Sequence, residues 1–297
     1  MTVRIGPAGW SYKDWEGIVY PAPHPRDFDP LRYLAGYFDA VEVNSTFYRP
    51  AAPSAAQGWV DRARAGERAP DRFRFTAKLW QRFTHERDAA FTPADVDAVR
   101  RGFDVLADAG RLGAVLVQFP WSFKRDDANR EWLDDVTRAF GTVDAGGAGY
   151  PLALEVRHAS WNVPAFYQEL AERGVGFVNV DQPLFKKSLG PSAAATAPVG
   201  YVRLHGRNYE DWFRADAGVE ARYDYLYPAE ELEPWVERAR EVAAVAPETY
   251  VVTNNHYRGQ AVTNAVMLEA MVTGERASAP PGVVAAYPEV LGPYVGG

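Results

Sequence analysis

The sequence contains no cysteine. The chain therefore has no disulfide, no thiolate nucleophile, no iron–sulfur cluster and no cysteine-ligated zinc. It also lacks an apolar run of about 18 residues, which a membrane-spanning helix needs, and its first residues lack the apolar stretch of a signal peptide. We therefore predict a cytoplasmic protein that does not bind the membrane.

Two further absences narrow the class of protein. Neither a Gly-x-Ser-x-Gly motif nor a phosphate-binding P-loop occurs, which argues against a serine hydrolase and against a nucleoside triphosphatase. The net charge is −7, so the chain has no general excess of positive charge to attract nucleic acid. Nucleic acid is therefore disfavoured as a partner, although a local basic groove would still allow it.

The sequence does contain a regular alternation of two patterns. Eight segments show the two-residue alternation of β-strands, and helical periodicity occurs between them. The predicted strands are residues 3–8, 40–44, 72–78, 114–119, 151–157, 176–181, 200–205 and 249–254. The predicted helices are residues 30–37, 54–65, 93–109, 129–140, 163–173, 229–245 and 259–272.

This alternation predicts one domain, residues 1–297, folded as a single (β/α)8 TIM barrel of the α/β class. Thr92 followed by Pro93 is typical of a helix start. The connection after the sixth strand lacks a clear helical pattern, and its residues 188–197, rich in serine, alanine and proline, predict a mobile loop. A doubly wound open sheet is the alternative, disfavoured because no glycine-rich phosphate motif follows the first strand.

Polar residues concentrate toward the carboxyl ends of the predicted strands, where barrel enzymes place their sites. In residues 151–157, Leu154 and Val156 alternate with Glu155 and Arg157, so the charged face is expected to point into the barrel mouth. The same alternation selects Glu42, Asn44, Lys78, Gln118, Asn179, Asp181, Arg203, His205, Asn254 and Asn255. A structural alternative is that the opposite charges among them form a self-satisfied network.

Several sequence blocks lie at these strand ends. They are GWSYKDW at 9–15, VEVNSTFY at 41–48, VQFP at 117–120, EVRH at 155–158, YVRLHGR at 201–207 and the pair Asn254-Asn255. The blocks resemble the YecE-like family, catalogued as domain of unknown function 72, over nearly the whole chain. Known members are similar to TIM barrels, so the resemblance implies that fold. It implies no particular activity, and the function has to be argued from the residues.

The predicted mouth residues suit a small anionic or polyhydroxyl ligand. Cationic donors for phosphate or carboxylate are Lys78, Arg157, Arg203 and Arg207. Neutral groups for hydroxyls or base edges are Asn44, Gln118, Asn254 and Asn255, and further candidate contacts are His158 and Asp181. Aromatic residues that can stack on a sugar or base are Trp10, Tyr12, Tyr48 and Trp161. Packing beneath a loop is the alternative for each aromatic residue.

For chemistry, Glu155 is the strongest acid or base candidate, with His205 as its proton partner and Glu42 as a second carboxylate. We therefore predict an enzyme that uses acid–base chemistry on a phosphorylated, sugar-like or nucleotide-like ligand, with no tightly bound cofactor and no metal.

Two alternatives stay open. The first is a metal-dependent barrel acting on nucleic acid or sugar, with ligands drawn from Glu42, Glu155, His158, Asp181 and His205. The cations in the same mouth argue against it, because they repel a divalent ion. The second is a ligand-binding protein without catalysis.

Overall fold

A computed structural model describes residues 2–141, 149–210 and 222–296. Eight β-strands lie in these ranges, and every neighbouring pair is parallel. Their bounds are β1 Thr2–Pro7, β2 Ala40–Val43, β3 Arg74–Lys78, β4 Leu112–Gln118, β5 Leu152–Glu155, β6 Gly176–Asp181, β7 Val199–Leu204 and β8 Glu248–Thr253. Each predicted strand is present, with ends that differ from the prediction by two residues or fewer.

The sheet closes on itself. Its strands pair in the order β1-β8-β7-β6-β5-β4-β3-β2, and the two ends of that series meet through a parallel bridge between Ala8 and Glu42. The N–H of Gly9 donates to the carbonyl oxygen of Glu42 at 2.8 Å. A Cβ at Gly6 would lie only 1.8 Å from the carbonyl oxygen of Ala40, so the approach of β1 to β2 requires glycine there. The prediction of a single (β/α)8 barrel is confirmed.

Helices follow most of the strands. The helices in the described residues are α1 Pro30–Ala35, α2 Pro53–Gly66, α3 Pro93–Asp108, α4 Asp127–Phe140, α5 Pro164–Glu172, α6 Ala229–Val245, α7 Gln260–Thr273, α8 Pro281–Ala286 and α9 Pro288–Leu291. The first seven correspond to the predicted helices, whereas α8 and α9 were not predicted. Thr92 caps α3 as expected, because its Oγ1 accepts the N–H of Asp95 at 3.2 Å. Nothing among these helices has the length and apolar character needed to cross a membrane.

Apolar side chains pack in two layers on either side of the strand backbones. Leu154 and Val156 face outward and pack beneath the helices, as the alternation predicts. Inside the barrel a smaller cluster includes Leu116, Val180 and Tyr201. This inner cluster fills the barrel below the carboxyl ends of the strands, where polar side chains take over.

The two faces of β6 are reversed relative to the prediction. Val178 and Val180 belong to the inner cluster, so Asn179 and Asp181 point outward. Residues 182–198 form no helix and cover the outer face of β6 instead. Asn179 holds this connection, donating from Nδ2 to the carbonyl oxygen of Ala194 at 2.9 Å and accepting the N–H of Ala194 at 2.8 Å. The expectation that Asp181 points into the mouth is therefore wrong.

Candidate functional site

A bidentate ion pair joins β7 to β2 inside the barrel. Nε and Nη2 of Arg203 donate to Oε2 and Oε1 of Glu42 at 2.9 and 2.7 Å. Tyr201 donates from Oη to Oε2 of Glu42 at 2.8 Å and lies 2.9 Å from Oγ1 of Thr76. The side chains of Arg203 and Glu42 are 1% and 0% exposed, so this pair is a desolvated crosslink between two strands.

Glu155 on β5 is a second buried carboxylate in the same layer. Its Oε2 accepts from Nη1 of Arg203 at 3.2 Å, and its Oε1 accepts from Nε of Arg157 at 2.9 Å. Desolvation raises the pKa of Glu155, but the electrostatic interaction with His205, the charges of Arg203 and Arg157 and the hydrogen bond from His205 outweigh it and hold that pKa well below its usual range. Glu155 is therefore an anion at neutral pH and not a general acid.

His205 is a neutral imidazole with a defined tautomer. Nδ2 of Asn254 lies 3.0 Å from Nδ1 of His205, and because an amide nitrogen only donates, Nδ1 is the acceptor. The ring proton is then on Nε2, which faces Oε1 of Glu155 at 3.1 Å. Desolvation, together with the charges of Arg157 and Arg203, lowers the pKa of His205 to about 3. The ring therefore stays neutral at physiological pH.

A cavity of about 230 Å³ adjoins this network at the barrel mouth. Its lining consists of His85, Gln118, Pro120, Trp121, Arg157, Arg222 and Tyr223. Arg157 belongs to both the network and the cavity, and its side chain is 13% exposed where that of Glu155 is 0% exposed. Oε1 of Gln118 is buried and has no hydrogen-bond partner among the described residues. The cavity thus presents a held cation and an amide oxygen that a ligand can use.

The three residues predicted as catalytic lie below this cavity. Glu42, Glu155 and His205 each have no exposed surface, and none of them lines the cavity. The hydrogen bonds of their side chains go to buried neighbours, among them Arg203, Arg157, Tyr201 and Asn254, and to one another. They can therefore affect a ligand in the cavity only through the side chains that they position, such as Arg157.

Lys78 is the inward residue at the end of β3 and is only partly buried. Its Nζ lies 4.7 Å from the centroid of the Phe47 ring, and the Phe47 ring in turn packs edge-on against His85, a residue of the cavity wall, with centroids 4.9 Å apart. Desolvation, with help from the charge of Arg203, lowers the pKa of Lys78 to about 7. At neutral pH a substantial fraction of this side chain is therefore the free amine.

A second cavity of about 310 Å³ lies at the ends of β1 and β2. Trp10, Tyr12 and Asn44 line it together with Trp59. Nδ2 of Asn44 donates to Oη of Tyr12 at 3.4 Å, while Oδ1 of Asn44 has no hydrogen-bond partner among the residues described. Three of the predicted contact residues therefore share a rim pocket separate from the one at Arg157.

Trp161 and Tyr48 do not line either of these cavities. Trp161 is fully buried; its ring stacks on Phe123 with centroids 5.2 Å apart, and Nε1 donates to the carbonyl oxygen of Phe123 at 2.7 Å. Tyr48 is 69% exposed and contacts the Phe47 ring edge-on. For Trp161 the packing alternative holds, because its ring lies in the outer apolar cluster against Phe123.

Other predicted contact residues bind elements of the fold to one another. Arg207 donates to both oxygens of Asp181 at 2.9 and 3.0 Å and also pairs with Glu231 of α6 at 3.3 Å. Nδ2 of Asn255 donates to the carbonyl oxygen of Tyr225 at 2.7 Å, which ties the end of β8 to the chain before α6.

His158 is buried beside the first cavity without lining it. Its Nδ1 accepts the N–H of Ser160 at 3.1 Å, and its ring packs edge-on against Trp121 at 5.0 Å. We therefore assign no ligand contact to His158, Asp181, Arg207 or Asn255.

The donor set at the mouth does not fit a divalent cation. Within residues 2–141, 149–210 and 222–296, no group of three His, Asp or Glu side chains converges as metal ligands do. Both oxygens of Glu42 and of Glu155 accept hydrogen bonds from buried side chains, including those of Arg203, so a metal would have to displace these donors.

Sequence reasoning missed several residues of the site. Arg222 and Tyr223 line the first cavity, but they come from the connection after β7, where no periodic pattern marks them. Phe47 faces Lys78 from a short turn after β2. Tyr201 was detectable, because it shares the inward face of β7 with Arg203 and His205.

The sequence of the chain matches a described family along most of its length. Residues 4–286 match the family described as protein of unknown function DUF72. The chain belongs to the DUF72 family. The resemblance drawn from the sequence blocks at the strand ends is therefore confirmed, and the DUF72 description itself carries no activity.

The chain is also similar to individual proteins over most of its length. UPF0759 protein YunF of Bacillus subtilis (strain 168) is 28% identical over 275 residues, which cover 88% of this chain and 92% of YunF. A solved DUF72 family protein of Thermotoga maritima MSB8 is 32% identical, with a TM-score of 0.75, and the match covers 92% of this chain and 100% of that one. A DUF72 family protein of Enterococcus faecalis V583 is 24% identical with a TM-score of 0.76 over 92% and 96% of the two chains, and it shows the shared fold.

Proposed function

We propose that this DUF72 protein is an enzyme that binds a small anionic ligand, phosphorylated and sugar-like or nucleotide-like, in the cavity at Arg157 and transforms it by acid–base chemistry. The observation that carries the proposal is the position of Arg157. Oε1 of Glu155 accepts from Nε of its guanidinium at 2.9 Å, and Nε2 of His205 donates to the same oxygen at 3.1 Å, while the side chain of Arg157 lines the cavity beside Gln118.

The charges around the cavity favour an anion. Glu42 and Glu155 are matched by Arg203 and Arg157, so these four side chains together carry no net charge. Lys78 adds a positive charge whenever it is protonated. Charge-assisted hydrogen bonds contribute about 1.5–3 kcal/mol each, which favours phosphate or carboxylate over a neutral group at Arg157.

Lys78 is the group suited to proton transfer. Efficient acid–base catalysis needs a pKa near the working pH, and the pKa of Lys78 is lowered to about 7. Glu155 and His205 do not change protonation near neutral pH. They act as positioning residues for Arg157, and Glu42 acts as the positioning residue for Arg203.

Isothermal titration tests the anion site. Inorganic phosphate, glucose 6-phosphate and adenosine monophosphate are titrated into the protein at low salt. We expect binding of at least one of them, and a loss of about tenfold or more in affinity for Arg157→Gln, which corresponds to about 1.4 kcal/mol. Arg138→Gln, on the exposed face of α4 with 71% of its side chain exposed, is the matched control. No binding at millimolar ligand would refute the anion site.

Turnover measurements separate the alternatives. A panel of phosphosugars and nucleotides is incubated with the protein and followed by phosphorus and proton NMR. Conversion that survives a chelator supports the proposal, because no metal is then required. Conversion that a chelator abolishes and manganese or magnesium restores favours the metal-dependent barrel. Tight binding without any conversion favours a ligand-binding protein.

A further inference from the structure

The ammonium group of Lys78 has no polar partner in the part of the chain that the structure describes. No oxygen there accepts a hydrogen bond from Nζ or pairs with it within 4.0 Å; the group that faces it is the Phe47 ring, at 4.7 Å. Both buried carboxylates of the mouth, Glu42 and Glu155, are occupied by arginines. A lysine that only balanced charge would pair with one of them.

The surroundings of Lys78 favour the neutral amine. Packing against Phe47 removes part of the water around the ammonium form, and the guanidinium groups of Arg203 and Arg157 repel it. The carboxylates of Glu42 and Glu155 act in the opposite direction, but desolvation and the cations prevail. Desolvation and a neighbouring cation are the two means by which proteins activate a lysine as a nucleophile.

We propose that Lys78 is a Schiff-base lysine, whose ε-amine condenses with an aldehyde or ketone carbonyl of the ligand while the ligand's anionic group lies at Arg157. This inference rests on the proposed function, because it places the carbonyl of the same anionic ligand at the end of β3. It narrows the substrate class to phosphorylated or carboxylated carbonyl compounds.

The chemistry balances without an oxidant or a reductant. The amine nitrogen attacks the carbonyl carbon, a C–N bond forms, and the carbonyl π electrons move to oxygen, which takes a proton from solvent. The nitrogen loses a proton, and the protonated hydroxyl leaves as water while the nitrogen lone pair forms the C=N bond. Amine and carbonyl thus give imine and water. The protonated imine then accepts electrons when a proton or a carbon fragment leaves the neighbouring carbon, as in isomerisation, dehydration or aldol cleavage.

The small number of lysines makes a trapping experiment clean. The chain has five, and the four besides Lys78 are Lys13, Lys124, Lys186 and Lys187. The full-length protein is treated with one equivalent of pyridoxal 5′-phosphate, which carries both an aldehyde and a phosphate, and then with sodium borohydride. Peptide mass spectrometry locates the resulting secondary amine. At pH 7 we expect Lys78 to be labelled on the order of tenfold or more faster than each of the other four, since an ordinary lysine has a pKa of about 10.4.

A second measurement does not need a ligand. Trace acetylation with acetic anhydride at a series of pH values reports the free-amine fraction of each lysine in the native protein. We expect the Lys78 rate to level off above a midpoint near pH 7. Lys78→Arg and Lys78→Met, checked for folding by thermal melting, should lose the pyridoxal label while the other lysines keep theirs.

The outcomes distinguish this inference from the proposed function. Equal labelling of all five lysines, with an acetylation midpoint above pH 9, overturns the Schiff-base lysine. If inorganic phosphate still binds in that case, the anion site at Arg157 stands. Selective labelling of Lys78 that millimolar phosphate slows supports both proposals. Selective labelling that phosphate does not affect supports the Schiff-base lysine and counts against the anion site.

Discussion

Arg203 donates to both carboxylate oxygens of Glu42, at 2.9 and 2.7 Å, across the interior of the barrel. This pair crosslinks β7 to β2, which are far apart in the strand order. Since both side chains are essentially without solvent contact, each charge depends on the other for its stability. The pair therefore sets the position of Arg203, which in turn holds Glu155 at 3.2 Å.

Replacing Glu42 by glutamine should destabilise the protein strongly. The change removes the anion that Arg203 needs and also alters the acceptor of Tyr201 Oη. A buried pair broken on one side typically loses about 3–5 kcal/mol, which urea unfolding measures. Glu237→Gln is the control, because Glu237 pairs with Arg240 on the surface of α6 and is 65% exposed; it should change stability by about 1 kcal/mol or less. Equal losses in the two variants would contradict this account.

The substitution Glu155→Gln tests whether Glu155 positions other groups or takes part in chemistry. The structure shows it between Arg157, Arg203 and His205 with no exposed surface. We expect a loss of about 3–5 kcal/mol in the free energy of unfolding, because Arg157 loses its anion and Arg203 keeps only Glu42. A melting temperature within about 2 °C of the wild type, with turnover reduced by about 100-fold or more, would instead make Glu155 a catalytic residue.

The barrel itself could be predicted from the sequence because strand alternation is local. The outward packing of Leu154 and Val156 fixes Glu155 and Arg157 on the inner face. In β6 the apolar residues Val178 and Val180 belong to the inner cluster instead, so the period of two marks two faces without saying which is inside. The absence of a helix after β6 leaves its outer face to a polar connection, and Asn179 serves that connection.

The sequence could not predict how deep each side chain lies in the barrel mouth or which side chains pair with one another there. The sequence predicts that Glu42, Glu155 and His205 lie on inward faces, but only the folded structure shows that they lie beneath Arg157 with no exposed surface. Trp161 follows a strand end, and a tryptophan there is equally suited to stacking on a ligand or packing on Phe123. The choice depends on the direction of the turn after β5, which no residue type in that stretch determines.

Barrel closure at Gly6 gives a prediction about packing. An alanine Cβ there would meet the carbonyl oxygen of Ala40 at 1.8 Å, a backbone atom that cannot move alone. Gly6→Ala should therefore lower stability by about 1–3 kcal/mol or more. Gly58→Ala is the matched control: nothing lies within 4 Å of its added Cβ in the helix α2, and alanine should stabilise that helix by about 0.5–1 kcal/mol. Chemical denaturation of both variants measures these changes in stability. A Gly6→Ala variant as stable as the wild type would mean that β1 and β2 do not approach this closely.

Acid should destabilise the protein through histidines that partial or complete desolvation keeps neutral. The pKa of His205 is lowered to about 3 and that of His256 to about 4, in each case mainly by desolvation. Between those values and the ordinary value of about 6.5, the unfolded chain binds protons that the native protein does not. Stability therefore falls as the pH drops through this window, and each such histidine contributes a slope that approaches about 1.4 kcal/mol per pH unit. Above pH 6.5 both states are neutral and the effect vanishes.

The variant His256→Phe isolates one of these contributions. Phenylalanine keeps a ring against Tyr12, on which His256 stacks with centroids 4.3 Å apart, and it removes the titrating group. Urea unfolding at pH 7, 6 and 5 should show a shallower loss of stability in this variant than in the wild type. The difference should approach about 1.4 kcal/mol per pH unit at the acid end of the range. His24→Gln, at an exposed position, is the control for a general effect of losing a histidine. Parallel pH profiles for wild type and His256→Phe would show that His256 takes up its proton equally in the native and unfolded states, and desolvation at the end of β8 would then not be the cause of the acid sensitivity.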